Sequence, residues 1–158
     1  MKKLASYIIL LFVVVSLAGC VQKQYVSTKT SLELQSIQTK EFDAPVKAGF
    51  GATMSVFQDL GYIIATADAQ TGFITAAGPK SQHFVPFVGQ VQKYRKATAF
   101  VEGINTTKTR VRLNFVDEEE SSSGYGMKGG SAIPVEDPKL YQEAFEKISK
   151  AIFVRTNQ

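Results

Sequence analysis

The stretch Lys96–Val116 (KATAFVEGINTTKTRVRLNFV) carries the most regular pattern in the chain. In its second half apolar residues alternate with polar ones: Val111, Leu113 and Phe115 alternate with Arg110, Arg112 and Asn114. Such alternation is typical of a strand with one buried and one solvated face. Asn105-Thr106-Thr107 interrupts the pattern with turn-forming residues. The stretch therefore predicts an antiparallel hairpin of two strands, Lys96–Ile104 and Lys108–Val116.

An amphipathic helix is predicted before this hairpin, because apolar residues recur there at helical spacing. The stripe consists of Val46, Phe50, Met54, Phe57 and Leu60. Asp43 can cap the free amides of the first turn, Pro45 is tolerated there, and Gly61 suits a left-handed helix end. Gly49 and Gly51 each weaken a helix interior, and we interpret them as positions of close packing on a sheet.

A second amphipathic helix is predicted near the C-terminal end of the sequence. Asp137 is placed to cap it, and Pro138 fits its first position. Its apolar stripe consists of Tyr141, Phe145, Ile148 and Ile152, widened by Leu140 and Ala144. Each helix must bury its stripe against another layer of the structure.

Three further strands complete the predicted fold. Leu32–Phe42 alternates loosely and contains strand-forming residues, while Tyr62–Ala67 and Phe73–Ala77 flank the turn residues Asp68–Gly72. The predicted order is β-α-β-β-β-β-α. The predicted fold class is therefore α+β in two layers: an antiparallel sheet of four to five strands with two helices on one face.

The N-terminal residues have the pattern of a secretory signal followed by a lipidation site. Met1-Lys2-Lys3 is positive, and Leu4–Val15 is apolar but shorter than the roughly 20 residues of a membrane span. Leu17-Ala18-Gly19-Cys20 resembles the lipobox of bacterial lipoproteins. The resemblance implies cleavage before Cys20 and attachment of acyl chains to that cysteine, and two or more chains anchor a protein stably. The alternative is an ordinary signal peptide followed by a chance cysteine.

The chain divides into three predicted segments. Residues 1–19 are a lipoprotein signal peptide, residues 20–30 are the lipidated Cys20 and a polar tether, and residues 31–158 are a single α+β domain. An extra edge strand is the alternative for the tether. Removal of Lys2 and Lys3 with the signal lowers the formal net charge from +4 to about +2, which gives no basis for nucleic-acid binding. Val21 follows Cys20 where lipoproteins retained in the inner membrane of enteric-type bacteria carry aspartate, so we expect the outer membrane, facing the periplasm.

Several segments resemble a family of bacterial envelope lipoproteins of uncharacterised function. They are Gln38–Asp43, Phe57–Tyr62, Asp68–Gly72, Val135–Pro138, Tyr141 and Phe145–Phe153. The layout is also similar to the repeated α+β domains of the BamC lipoprotein, an accessory of the machine that assembles outer-membrane β-barrels. The resemblance implies an α+β architecture and an interaction or assembly-accessory role.

The residues that commonly perform catalysis or bind metals are few. His83 is the only histidine and Cys20 the only cysteine, so neither a Cys/His pair nor a His/Cys metal cluster can be assembled beside a lipidated Cys20. Glu118–Glu120 belongs to Asp117–Glu136, a predicted flexible loop that is acidic and then rich in serine and glycine. These adjacent carboxylates lack the spaced ligands of a calcium loop. We therefore expect no catalytic residues, no metal and no cofactor.

Gly78–Tyr94, also a predicted loop, contains the candidate partner-binding residues Phe84, Phe87 and Tyr94. Lysine and arginine residues stand around these aromatic side chains. Aromatic anchors with a charged rim are the usual composition of a binding hot spot. The alternative is that the loop folds back and closes one end of the core.

The sequence thus favours a non-enzymatic interaction or assembly-accessory module. In this interpretation the lipid on Cys20 holds the domain at the membrane, where it contacts another envelope protein. The alternative is a binder of a small apolar or amphiphilic ligand between helix and sheet. The aromatic residues of the predicted helices and of Gly78–Tyr94 favour that alternative.

Overall fold

The computed structural model describes Tyr25, Ser27, residues 29–124, Gly126 and residues 128–157. The predicted signal peptide and Cys20 lie outside these described residues. In chain order the elements are α1 (Ser31–Gln38), β1 (Thr39–Phe42), α2 (Val46–Asp59), β2 (Ile63–Asp68), β3 (Phe73–Ala77), β4 (Ser81–Val85), β5 (Gly89–Asn105), β6 (Lys108–Ser122), β7 (Lys128–Pro134) and α3 (Pro138–Thr156). The α+β class is confirmed. Within the described residues, no helix has the length and apolar character needed to cross a membrane.

The strands form one antiparallel sheet whose centre is the long hairpin of β5 and β6. The main strand order is β1-β6-β5-β3-β2, with β4 added to β5 and β7 added to β6. The β5–β6 pairing extends from Gln90 opposite Ser122 to Asn105 opposite Lys108. The inner half of the hairpin therefore lies between β3 and β1, and the outer half lies between β4 and β7.

A single hydrophobic core lies between one face of the inner half of the sheet and helices α2 and α3. Its larger members are Phe42, Val56, Phe57, Ile74, Val111, Leu113, Phe115, Tyr141, Phe145, Ile148 and Ile152. The ring of Phe115 lies 6.3 Å from that of Phe57 and 5.2 Å from that of Tyr141, measured between centroids. The predicted alternation in β6 is confirmed, since its apolar residues on this face are fully buried.

Gly49 allows α2 to pack closely on the sheet. A Cβ atom at this position would lie 2.8 Å from Cγ2 of Thr109, which is too short for any real contact. The buried Thr109 hydroxyl donates a 2.7 Å hydrogen bond to the carbonyl oxygen of Ala44 and so fixes the chain just before the helix. The interpretation of Gly49 as a packing position is confirmed. Gly51 instead faces Arg155 of α3, so the sheet-packing interpretation is wrong for it.

The prediction of a strand over Leu32–Phe42 is wrong for most of that segment. A helix, α1, occupies its first part because Thr30 and Glu33 form a capping box. The Glu33 amide donates to Thr30 Oγ1 at 3.3 Å, and the Thr30 amide donates to Glu33 Oε2 at 2.7 Å. These bonds satisfy free amides at the helix start and outweigh a loose strand pattern.

Of the two predicted N-caps, the one at α2 is wrong and the one at α3 is confirmed. Pro45, not Asp43, is the N-cap of α2, and its side chain makes no capping bond. The Asp43 carboxylate lies 3.7 Å from Nζ of Lys108, so its role as a cap is wrong. At α3 the prediction is confirmed, since Asp137 accepts a 3.0 Å hydrogen bond from the Lys139 amide.

The prediction of loops at Gly78–Tyr94 and Asp117–Glu136 is wrong. The first segment contains β4 and the first part of β5, and the second contains the last part of β6 and β7. The sheet accordingly has seven strands rather than four or five, and the described residues form three helices rather than two. Pairing overrides local composition here: the glycine-rich β7 is held along Val116–Ser122 of β6. Pro86 lies in the turn after β4, where no sheet hydrogen bond is lost.

We expect the domain from Thr30 to Gln158 to fold alone in water, with a core that depends on both helices. Phe57 and Phe145 are 0% and 4% exposed, so Phe57→Ala and Phe145→Ala should each lower the free energy of unfolding by roughly 3–5 kcal/mol. Chemical denaturation measures this. Phe153→Ala is the matched control, because Phe153 lies on α3 but is 68% exposed and should change stability by under about 0.5 kcal/mol. Losses below about 1 kcal/mol for both core variants would contradict this packing.

Candidate partner-binding arm

The outer half of the sheet forms a four-stranded extension, which we call the arm. It consists of β4, Gly89–Arg95 of β5, Asp117–Ser122 of β6, and β7. None of the residues of the main core belongs to it. Val91 is the one buried side chain among the described residues of the arm. The arm therefore stands beyond the layer of helices and is held mainly by strand pairing and by contacts between its own side chains.

Oppositely charged side chains pair across β5 and β6 on one face of the arm. Nζ of Lys93 lies 2.8 Å from a carboxylate oxygen of Glu119, and Nε of Arg95 lies 2.6 Å from one of Asp117. Directly opposite residues of opposite charge favour one register of an antiparallel pair. These ion pairs therefore support the register that the inner half of the hairpin already sets.

Glu118 and Glu120 point to the other face, as expected for strand residues adjacent to Asp117 and Glu119. Nζ of Lys96 lies 3.6 Å from a Glu118 oxygen. The Tyr94 hydroxyl donates hydrogen bonds to Glu118 and, at 2.9 Å, to Glu120. Every acidic side chain from 117 to 120 thus has a cation or a hydroxyl as partner. Among the described residues, no three histidine, cysteine or acidic side chains are grouped closely enough to hold a metal ion.

Tyr94 belongs to this scaffold. Hydrogen bonding to Glu118, and next to Glu120, raises the pKa of its hydroxyl, because ionisation would remove the proton that both carboxylates share. Nζ of Lys80 lies 4.7 Å from the centre of the Tyr94 ring, a cation–π distance. The ring is half-buried and its polar end is occupied. Tyr94 therefore stabilises the arm from within and is separated from the other two predicted contact residues.

Phe84 and Phe87 lie at the tip of the arm, where β4 turns into β5. The Val88 amide donates a 3.2 Å hydrogen bond to the Val85 carbonyl and closes a turn with Pro86 and Phe87 at its centre. Phe84 is 67% exposed and Phe87 is fully exposed. The alternative, in which Gly78–Tyr94 folds back and closes one end of the core, does not agree with the exposure of these two rings. The tip is instead an aromatic surface held away from the core.

The backbone at the tip has two residues in the left-handed region. Gly89, at φ 103°, has no room for a side chain, because a Cβ atom would lie 2.3 Å from the Ser122 carbonyl oxygen. Phe87, at φ 67°, is the only residue other than glycine with positive φ in the described part of the chain. A bulky side chain in this conformation costs roughly 1–2 kcal/mol. Since Phe87 makes no core contact in return, its presence requires an explanation other than stability.

Sequence patterns could not reveal the arm, although one signal was present. Pro86 suits the first central position of a tight turn, and a turn between Val85 and Val88 would have indicated a hairpin. The next position has positive φ but carries Phe87 rather than glycine or asparagine, so the turn type is not evident from the sequence. Exposed strands lack the alternation of apolar and polar residues that identifies half-buried ones. No protein-family model matches the chain, and no curated protein matches it significantly. The functional argument therefore rests on the chain itself.

The strain at Phe87 leads to a direct prediction. Phe87→Asn should leave the free energy of unfolding unchanged or raise it by up to about 1 kcal/mol, because asparagine tolerates the left-handed region and no buried contact is lost. Gly89→Asn is the matched control: it should destabilise the arm, since its Cβ atom would collide with the Ser122 carbonyl. Thermal and chemical denaturation measure both. A loss above about 1.5 kcal/mol for Phe87→Asn would mean that the ring packs against the protein.

Proposed function

We propose that this chain is a membrane-anchored bacterial lipoprotein whose domain is a non-enzymatic contact module for another envelope protein. The observation that carries the proposal is the tip of the arm, where an exposed and conformationally strained phenylalanine stands beside a second exposed phenylalanine. The proposal has two parts, an anchor and a contact surface. Each part has its own support and its own test.

The anchor rests on the lipobox-like residues Leu17–Cys20 and on Cys20 being the only cysteine. The resemblance to envelope lipoproteins, the outer membrane and the periplasm are part of the same proposal. The domain begins with α1 at Ser31, eleven residues after Cys20. A fully extended chain spans about 3.3–3.6 Å per residue, so this connection reaches at most roughly 40 Å. A domain on such a tether meets proteins within a few tens of ångströms of the membrane surface.

The contact surface rests on the chemistry and geometry of the tip. Phe84, Phe87 and Val88 expose apolar side chains within five residues, whereas scattered single exposures need no explanation. The arm holds them on paired strands, so little conformational entropy is lost when a partner binds. Aromatic residues presented in this way are typical of the centre of a protein interface.

A protein partner also fits the edges of the arm. Among the described residues, β4 pairs only with β5 and β7 pairs only with β6, so each leaves one row of backbone groups without a strand neighbour. The middle of β7 is Gly129-Gly130-Ser131-Ala132, whose small side chains allow another backbone to approach. Addition of a partner strand to such an edge is a common mode of recognition.

The anchor is tested by Cys20→Ala. We expect this variant to leave the membrane fraction or to accumulate as uncleaved precursor, and to lose incorporation of a radioactive fatty acid supplied to the cells. Ser27→Ala in the proposed tether should behave like the wild type. Absence of label from the wild type, or equal label on Cys20→Ala, would overturn the lipid anchor.

The contact surface is tested by the double variant Phe84→Ser/Phe87→Ser. Its free energy of unfolding should stay within about 1 kcal/mol of the wild type, because both rings are exposed. It should also lose a stoichiometric protein that co-purifies with the wild type from detergent-solubilised membranes. Phe153→Ser, an equally exposed phenylalanine on α3, should retain that protein. Unchanged stability with the partner still bound would remove the tip from the functional account.

A further inference from the structure

A groove of about 810 Å³ lies at the end of the domain opposite the tip of the arm. Its lining comes from the first turns of α2, the turn between β2 and β3, and the end of α3: Pro45, Lys47, Ala48, Phe50, Gly51, Ala69, Arg155 and Thr156. Three distant parts of the sequence therefore build one concave surface. Its volume lies within the roughly 300–1,000 Å³ typical of small-molecule sites.

The floor and sides of the groove are mostly apolar. Pro45, Ala48, Phe50 and Ala69 contribute apolar groups. Phe50 is half-buried and packs against the main core on one side, which leaves part of its ring toward the groove. Hydrocarbon packed against such walls removes apolar surface from water, which lowers the free energy. The walls therefore favour an occupant with an apolar part.

Two cations line the same groove, and neither has a carboxylate partner among the described residues. Arg155 is held in place by a 2.6 Å hydrogen bond from Nη2 to the Ser55 hydroxyl. Its guanidinium lies over α2 because Gly51 has no side chain: a Cβ atom there would lie 3.1 Å from Nη1. In the described part of the chain, no carboxylate oxygen lies within 4.0 Å of the Arg155 or Lys47 nitrogen atoms. By contrast, Lys93 and Arg95 of the arm are each paired with a carboxylate.

We propose that this groove binds a single-chain amphiphile with a carboxylate head, that is, a fatty acid. The carboxylate lies between Lys47 and Arg155, since a guanidinium binds a carboxylate through two parallel hydrogen bonds and a lysine adds a second positive charge. The hydrocarbon chain lies along Ala48, Phe50 and Ala69. The charge of the groove selects an anionic head over a neutral or cationic one, and its apolar walls hold the chain.

This site is separate from the tip and does not depend on the proposed anchor or protein partner. It also differs from a ligand site between helix and sheet, because that space is filled by the fully buried side chains of Val56, Phe57 and Ile74. Loss of fatty-acid binding would leave the tip experiment unaffected, and the reverse also holds.

Photo-crosslinking of the full-length chain, purified in a neutral maltoside detergent, tests the proposal. The probes are a twelve-carbon fatty acid carrying a diazirine on its chain and the alcohol of the same length with the same diazirine. Peptide mass spectrometry locates the attached label. We expect label on the peptides that contain Lys47–Gly51 and Ala69, with at least about fivefold more from the acid than from the alcohol. Equal labelling by the two probes would overturn the anionic head, and label confined to other segments would overturn the site.

Charge variants make the test specific. Lys47→Gln/Arg155→Gln should reduce labelling by the acid at least about fivefold and leave the weaker labelling by the alcohol unchanged. Lys47→Arg/Arg155→Lys keeps both charges and should retain labelling by the acid, which separates loss of charge from a disturbed helix end. Lys128→Gln/Lys147→Gln, which also removes two positive charges but none from the groove lining, is the control for net charge. Unchanged labelling in the charge-removing variant, or equal loss in the charge-retaining one, would overturn the assignment.

Discussion

The pairing of β5 with β6 is the interaction on which the rest of the structure depends. Its inner half supplies Ala97, Ala99, Val101 and the alternating apolar residues of β6, on which both long helices pack. Its outer half continues without a break in pairing beyond those helices and carries the arm. One ladder of backbone hydrogen bonds therefore joins a stable core to a surface that has almost no core of its own.

The two halves are stabilised by different forces. Burial of apolar side chains holds the inner half, where aromatic rings from α2, β6 and α3 meet. The arm relies on strand pairing supported by cross-strand contacts, among them the ion pair of Lys93 with Glu119 and the hydrogen bonds of Tyr94. Exposed ion pairs contribute only about 0–1 kcal/mol each. The arm therefore depends for its stability on the core, to which β5 and β6 connect it without interruption. Such a region can carry exposed phenylalanines and a strained turn because the core does not depend on them.

Sequence patterns predict the parts of this fold in which one face is buried. The hairpin across Asn105–Thr107 and the apolar stripe of α3 are confirmed for this reason. The predicted stripe of α2 is only partly confirmed, since its fully buried residues centre on Ala52, Val56 and Phe57 while Val46 is exposed. The hairpin across Asp68–Gly72 is confirmed through its turn residues, because β2 is exposed at nearly every position. The strands of the arm could not be predicted in this way, because strands exposed on both faces lack the alternation of apolar and polar residues. Phe84 and Phe87 were identified by composition, whereas the separate role of Tyr94 follows only from strand register. The groove could not be predicted, because α2, the β2–β3 turn and α3 meet only in the folded chain.

The central claim is that the tip is held away from the core by paired strands and is not a flexible loop. Amide hydrogen exchange of the folded domain, followed residue by residue, tests this most directly. We predict that inter-strand amides within Gln90–Arg95 and Glu118–Ser122 exchange at least about 100-fold more slowly than the Gly124 amide in the turn after β6. Exchange of the arm amides at the rate of the Gly124 amide, with protection confined to Ala97–Val101, would contradict the account.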